Sequence, residues 1–477
     1  MSMILRILFF VCLSTSVMGQ QLPTASSPVF PLDSLLHWVR QQHPIWQQAN
    51  LLNDQANAYL LKARGAFDPK AYGDYTQKSF DEKNYFRYGE AGVKVPTWLG
   101  VDFKLGYAWS DGIFLNPEDN LPASGQAIAG LSVPLARGML FDQRRAQVQK
   151  ARLYRNANEA ERRQIINELL TDATKAYWDW AFQYQVVQVY RAALDLADNR
   201  FEMIRQSFIQ GDKPAIDTLE YQIVRQDRQL QLQESLAALE NSRLYLSTFL
   251  WYDDNLPLAL STAYRPQDWI DEWRVNPAQI TNWLRDSLVL YHPDMMALRA
   301  KRQMLQVDER LQKENFKPQL NVNFNFLADG FDFTPDKPQN GNDLNQLLTE
   351  NYKWEVQFSY PLFLRKERAG LQQVQISQLE NENKTRFKRL DIRNKILGVL
   401  QQLQVMAQQL DTQADMLNNY RRLLAAENEK FRIGESSVFL LNSREQKLIE
   451  SQLKQAKMQA SYAKQRYKLE GVMGRMQ

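Results

Sequence analysis

Hydrophobic and polar positions follow two rhythms along this chain. The first has a period of two. Leu99, Val101, Phe103, Leu105, Tyr107 and Trp109 alternate with Gly100, Asp102, Lys104, Gly106 and Ala108. Leu320, Val322, Phe324 and Phe326 alternate with Asn321, Asn323 and Asn325, and Tyr352, Trp354, Val356, Phe358 and Tyr360 alternate with Lys353, Glu355, Gln357 and Ser359. Such alternation predicts strands with one face in an apolar medium and one in water. A soluble sheet over a core does this, and so does a membrane barrel with lipid outside and water inside. The second rhythm is helical. Ile166, Leu169, Ala173, Ala176, Trp180, Val187, Tyr190 and Leu194 step by threes, fours and sevens, as do Ile392, Ile396, Val399, Leu403, Met406 and Leu410. That is the seam spacing of a coiled coil. No Gly or Pro interrupts Met139 to Gln210, whereas Gly398 falls inside the second run and is a candidate bend.

The rhythms occur twice in the same order. His43-Pro44 returns as His292-Pro293, and Phe67-Asp68-Pro69 returns as Phe316-Lys317-Pro318, both 249 residues later. Pro134-Leu135 returns as Pro361-Leu362 after 227 residues, and Phe208-Ile209-Gln210-Gly211 as Phe431-Arg432-Ile433-Gly434 after 223. The chain is therefore read as a duplication. Its first copy carries 22 extra residues between the second and third landmarks. Each copy reads as helix, strands, long helix, tight turn and returning helix. The opening helices are expected at about 32–64 and 280–314, ended by Pro69 and Pro318. The organisation expected is a leader at 1–19, a first repeat at 20–252 with strands within about 69–134 and a helical hairpin at about 139–252, a linker at 253–279, and a second repeat at 280–477 with strands at about 318–362 and a hairpin at about 366–473. The linker, with Pro257, Pro266, Pro277, Trp269 and Trp273, is expected to hold a short helix packed on the outside.

Composition narrows the classes. With 58 Lys and Arg against 54 Asp and Glu, the net charge of +4 is no nucleic-acid polycation. The apolar share of 44% is too high for wholesale disorder. One window, Ile4 to Met18, approaches membrane hydropathy, and it has the anatomy of a secretory signal. Arg6 supplies the charge, Ile7 to Cys12 the apolar core, and Val17-Met18-Gly19 the small-residue cleavage site. The chain's single cysteine, Cys12, lies in that core without a lipoprotein motif, so the mature protein is expected to hold no disulfide.

The ordered, duplicated landmarks resemble the TolC-like outer-membrane efflux proteins. They are the two His-Pro pairs, the two Phe-x-Pro, the Leu131–Leu135 segment LSVPL with the Phe358–Leu362 segment FSYPL, and the two Phe-x-x-Gly tips. The resemblance covers nearly all of the mature sequence. It implies a mainly α protein with membrane β, in which three protomers build an α-helical barrel continuous with an outer-membrane β-barrel. It further implies a homotrimer in outer-membrane lipid, a periplasmic adaptor (membrane fusion) protein, an inner-membrane pump, no nucleic acid and no cofactor. Adaptor docking then falls to the tips, at Gln210, Gly211, Asp212, Asp217, Ile433, Gly434, Glu435 and Ser436. In the family an aspartate six residues past the tip glycine can line the closed entrance; Asp217 stands there in the first copy, and Leu440 replaces it in the second.

On the channel reading, Leu99, Val101, Phe103, Leu105, Tyr107, Trp109, Tyr352, Trp354, Val356, Phe358 and Tyr360 face lipid, and Asn321, Asn323, Asn325, Lys353, Glu355 and Gln357 face the lumen. Four membrane strands per chain are expected. Six are the alternative, because the 22 extra residues could hold a further hairpin and Asn84 to Val95 looks partly strand-like. No catalytic or metal motif is present; the recurring His-Pro reads as a helix start or kink and not as a metal ligand, and Asp81-Glu82 reads as a solvated pair. The competing reading is an exported coiled-coil adaptor or structural protein whose strands form a soluble sheet.

Overall fold

The computed structural model describes residues 28–252, 256–269, 275–286, 288–329 and 351–476. The expected leader and most of the turn-rich segment after Asp329 lie outside the described residues.

Two very long helices dominate, α3 (Gln143–Ile209) and, in the second copy, α8 (Arg365–Arg432). At 1.5 Å per residue each reaches about 100 Å. Asp142 caps α3 by accepting from the Arg145 N–H at 2.9 Å. The helix α8 runs through Gly398 unbroken. The heptad positions Ile166, Leu169, Ala173, Ala176, Trp180 and Val187 are buried, as are Ile392, Ile396, Val399 and Leu403. The returning helices α4 (Ala215–Ser247) and α9 (Val438–Val472) have about half the length of the helices they pair with. The other half of each long helix packs against α2 (Pro44–Arg64) or α7 (Pro293–Asn315). At either level the layer is four helices wide, α2, α3, α7 and α8 near the sheet and α4, α3, α9 and α8 towards the tips.

Each opening helix is broken where a single one was expected. In the first copy, α1 (Leu32–Gln42) ends and α2 starts around His43. In the second, α5 (Pro277–Asp286) and α6 (Leu288–Tyr291) precede α7, which starts after His292. The proline accounts for the break, since it favours an extended residue before it and suits the first helical position. The histidine does the rest. His43 Nδ1 accepts from the Ile45 N–H at 3.1 Å and His292 Nδ1 from the Asp294 N–H at 3.2 Å. The protonated Nε2 then donates to a carbonyl at the end of a returning helix, Thr248 for His43 and Val472 for His292. One ring thus caps the start of one helix and the end of another.

A belt of large side chains surrounds α3 at the level of these junctions. Tyr177, Trp178 and Trp180 are buried with Leu32, Leu35, Val39, Leu246 and Leu250. The Tyr177 hydroxyl donates to Phe30 O at 2.8 Å and accepts from the Gln267 N–H at 3.0 Å. Trp269 stacks on Trp178 with centroids 5.1 Å apart. The linker segment 256–269 crosses the belt in extended form, its Pro257 and Pro266 in two-residue strands; residues 253–255 and 270–274 of the expected linker lie outside the described residues, and the short helix expected in it is not tested there.

The sheet holds six strands: β1 (Lys70–Phe80), β2 (Lys83–Pro96), β3 (Asp102–Asp111), β4 (Gln126–Pro134), β5 (Gln319–Asp329) and β6 (Tyr352–Ser359). The expectation of four per chain is corrected to six. The β1–β2 hairpin turns at Asp81-Glu82, both at positive φ of 52° and 57°, so this pair forms a two-residue turn. Strand order is β6-β5-β4-β3-β2-β1, antiparallel throughout. Every strand foot, meaning the end nearer the helices, carries or adjoins a proline except that of β3: Pro69, Pro96, Pro134, Pro318 and Pro361. Proline has no N–H to give the ladder, so pairing weakens there; beyond Pro134 it still runs on, through Leu135 N to Leu320 O at 2.8 Å and Arg137 N to Pro318 O at 3.1 Å.

Candidate functional site: a two-faced sheet and two helical tips

The register sorts the sheet into two faces. Trp354 lies opposite Phe324, Phe324 opposite Leu131, and Leu131 opposite Phe103. On this apolar face Phe103, Leu105, Trp354, Val356 and Phe358 are exposed. On the other face Lys353 lies opposite Asn325, Glu355 opposite Asn323, and Gln357 opposite Asn321. All six residues assigned to the lumen therefore share one face. Asn323 joins two neighbours, accepting from the Ser132 hydroxyl at 2.6 Å and donating to Glu355 at 3.2 Å. Three of the residues assigned to lipid-facing strands lie beyond the strands: β3 starts at Asp102, so Leu99 and Val101 belong to the turn before it, and β6 ends at Ser359, before Tyr360. The left-handed Gly100, at φ 87°, turns the chain ahead of β3.

The polar face continues onto the β1–β2 hairpin, whose second strand covers the partly strand-like Asn84 to Val95. Lys104 and Glu90 pair at 2.6 Å, and the Tyr72 hydroxyl donates to Glu90 at 2.7 Å. A side chain at Gly106 would collide with that hydroxyl, since its Cβ would lie 2.8 Å away. At the foot, Asp102 receives Arg144 of α3 at 2.9 Å, fastening sheet to helix.

Both tips are built alike. In the first, Gly211 N donates to Phe208 O at 3.0 Å and Asp212 N to Ser207 O at 2.9 Å. In the second, Gly434 N donates to Phe431 O at 3.2 Å and Glu435 N to Lys430 O at 2.9 Å. This pair of bonds needs a left-handed residue, and the two glycines sit at φ 85° and 82°. The repeated Phe-x-x-Gly is thus a helix terminator. Asp217 lies half-buried in the first turn of α4, while Leu440 is exposed.

Just above the tips, Ile204, Tyr221 and Val438 form a small core beside an ion pair, Arg200 to Glu445 at 2.5 Å, which joins α3 to α9. Burial pushes the Glu445 carboxyl above its ordinary range, against the pull of Arg200 and Arg228. Among the described residues there is no cluster of His, Cys, Asp or Glu fit to hold a metal. No described helix is long and apolar enough to cross a membrane.

Residues 284–475 match the family model for outer membrane efflux proteins. The matched stretch is the second repeat. Solved structures of similar fold include the CmeC outer membrane channel of Campylobacter jejuni, at 14% identity over 93% of this chain and 85% of that one, with a TM-score of 0.62. VceC of Vibrio cholerae is similar at 14% identity over 93% of this chain and 96% of its own, with a TM-score of 0.63. The open state of the MtrE outer membrane channel of Neisseria gonorrhoeae reaches a TM-score of 0.65 at 12% identity, over 93% of this chain and 88% of that one. No curated protein matches. The matched family is one of outer membrane efflux proteins and not of enzymes.

Proposed function

We propose that the chain is a TolC-like efflux protein and serves as the passive exit duct of a tripartite efflux or type I secretion system, exporting small molecules or protein. The observation that carries the reading is a sheet with one apolar and one polar face, joined at its foot to helices about 100 Å long. Helices of that length reach across a periplasm, and a sheet of that polarity separates lipid from water. A single chain cannot serve, because the sheet ends in open edges that lipid does not tolerate. Three protomers close it. The exposed apolar stripe of α4, formed by Ile216, Leu219, Ile223 and Leu230, then packs against a neighbouring protomer in the helical tube.

In this reading Phe103, Leu105, Tyr107, Trp109, Tyr352, Trp354, Val356 and Phe358 contact lipid, with Leu99, Val101 and Tyr360 at the periplasmic border. Asn321, Asn323, Asn325, Lys353, Glu355 and Gln357 line the pore. The tips, from Gln210 to Asp212 with Asp217 and from Ile433 to Ser436, dock the periplasmic adaptor, and an inner-membrane pump supplies the energy. A strain lacking the protein, challenged with a panel of toxic compounds and scored for secreted proteins, is expected to accumulate or retain at least one cargo. The purified protein should form stable ion channels in a planar bilayer. Release of the protein from washed membranes without detergent, as a monomer, would return it to the adaptor class.

A further inference from the structure

The two edge strands of the sheet carry an inference about how the proposed trimer closes. Among the described residues, β1 pairs only with β2, and β6 only with β5. The strands alternate in direction, so the free edge of β6 meets the free edge of a neighbour's β1 antiparallel. It would meet β3 equally well if the β1–β2 hairpin lay outside the barrel. Three observations decide between these closures.

The duplication is the first. Pro69 precedes β1 as Pro318 precedes β5, and Leu135 follows Pro134 at the end of β4 as Leu362 follows Pro361 after β6. So β1 and β4 are the counterparts of β5 and β6. The inserted strands are β2 and β3, which lie between the counterparts and not at the margin. The insertion widens the sheet from within, and β1 remains its edge.

The second observation is girth. One row of partners runs from Ala71 through Val93, Leu105, Ala129 and Phe326 to Tyr352. Ala71 is one residue from the foot of β1, whereas Tyr352 is seven residues from Ser359 at the foot of β6. That stagger means strands tilted by about 40°, within the range for closed barrels. Tilted so, six strands span about 38 Å of circumference and four only about 25 Å. The helical layer of one protomer, four helices wide, spans about 32–40 Å. Six strands at this tilt match that width.

The third is side-chain polarity. Val93, Val95 and Ala91 of β2 fall on the same face as Phe103 and Leu105, and Glu90 and Tyr72 on the opposite face with Lys104. The polar face of β1 offers Asp74 and Lys78, and that of β6 offers Lys353 and Glu355, so each edge presents both signs to the other.

We infer that the barrel closes with all six strands of each protomer, eighteen in a trimer, through antiparallel pairing of β1 in one copy with β6 in the next. The β-barrel is then about 36 Å across, as wide as the helical tube, with no narrowing where the two join.

This rests on the trimer proposed above, and disulfide trapping tests both separately. Cys12 is the chain's single cysteine and lies in the expected leader, so the background is clean. Tyr75→Cys is combined in turn with Trp354→Cys, Val356→Cys and Phe358→Cys, and Tyr107→Cys with the same three. Within one protomer Tyr75 and the β6 positions are about 24 Å apart, so a disulfide between them must join two copies. The expected result is covalent dimers and trimers, in outer-membrane preparations under mild oxidation, from at least one Tyr75→Cys combination and from no Tyr107→Cys combination. Cross-linking through Tyr107→Cys alone, or a trimer that yields neither product, overturns the eighteen-strand closure. An unmodified protein that runs as a monomer in mild detergent overturns the trimer itself.

Discussion

At the scale of single residues, the two histidines join helix ends whose stability depends on pH. Burial lowers the pKa of His43 from its ordinary 6.5, opposed by its hydrogen bond to Thr248. Burial also lowers that of His292, with Asp294 and the Val472 carbonyl opposing and Lys388 reinforcing. Both rings must be neutral for Nδ1 to accept. Above pH 6.5 folded and unfolded states are both neutral at these sites, and the contribution is complete. As pH falls below 6.5 the unfolded chain takes up protons first, and stability is lost down through the lowered folded pKa. The midpoint of thermal unfolding should therefore fall between pH 7 and 5. His43→Asn with His292→Asn, which keeps a capping acceptor without a titrating ring, should flatten part of that slope. His43→Ala should cost about 0.5–2 kcal/mol for the lost cap, read from the same melts. The tip glycines make a second residue-scale case. A Cβ at Gly211 or Gly434 meets no atom within 4 Å, so Gly211→Val and Gly434→Val suffer from backbone strain alone. About 1–2 kcal/mol of strain is expected at each tip. Limited proteolysis should then cut the tip faster, and export should fall while trimers still form. The sequence showed that His-Pro was structural, because it recurs. It could not show the carbonyls at Thr248 and Val472, which only folding brings to the rings.

Among the elements, the contact of α3 with α9 above the tips rests on the Arg200–Glu445 pair, whose residues are 8% and 5% exposed. Glu445→Ala leaves Arg200 and Arg228 without that carboxylate in a poorly solvated place. A loss of about 3–5 kcal/mol is expected for breaking a pair of this kind. Replacing both members, as in Arg200→Met with Glu445→Leu, should restore much of it, and trypsin sensitivity of the tip half is the readout. The helices were the legible part of the chain. Their seams repeat over dozens of residues, and their ends carry glycine or proline. Strands β3, β5 and β6 were legible too, through alternating aromatics. Strand β1 was not, since the face it shares with Val93 bears Ala71, Gly73, Tyr75 and Gln77, which barely alternate with their neighbours. At a sheet edge, backbone pairing and tolerance of polar side chains replace the hydrophobic pattern that reveals a central strand. The break at His43-Pro44 was legible in part: the recurring His-Pro reads as a helix start or kink, while the apolar positions on either side suggest one continuous helix.

For the whole molecule, the pore-facing charges offer a prediction that needs no knowledge of the cargo. If Lys353 and Glu355 line the barrel, Lys353→Glu should shift ion selectivity towards cations in bilayer recordings while leaving the amount of trimer unchanged. An unchanged reversal potential would place that face away from the permeation path. The mechanics of the proposed tube follow from the matched lengths of its helices. At the height of the belt, only α3 and α8 pass through uninterrupted; α2 gives way to α4 and α7 to α9, at the junctions held by His43 and His292. Half of the staves are spliced at one height. A tube jointed in this way bends and untwists most easily at the splice. The packed tryptophans, α1 and the strap of residues 256–269 then act as a splint around the first copy's joint. In the proposed trimer, motion at the tips is then expected to pivot about this collar, the lower half opening like the jaws of a chuck below a fixed sheet end.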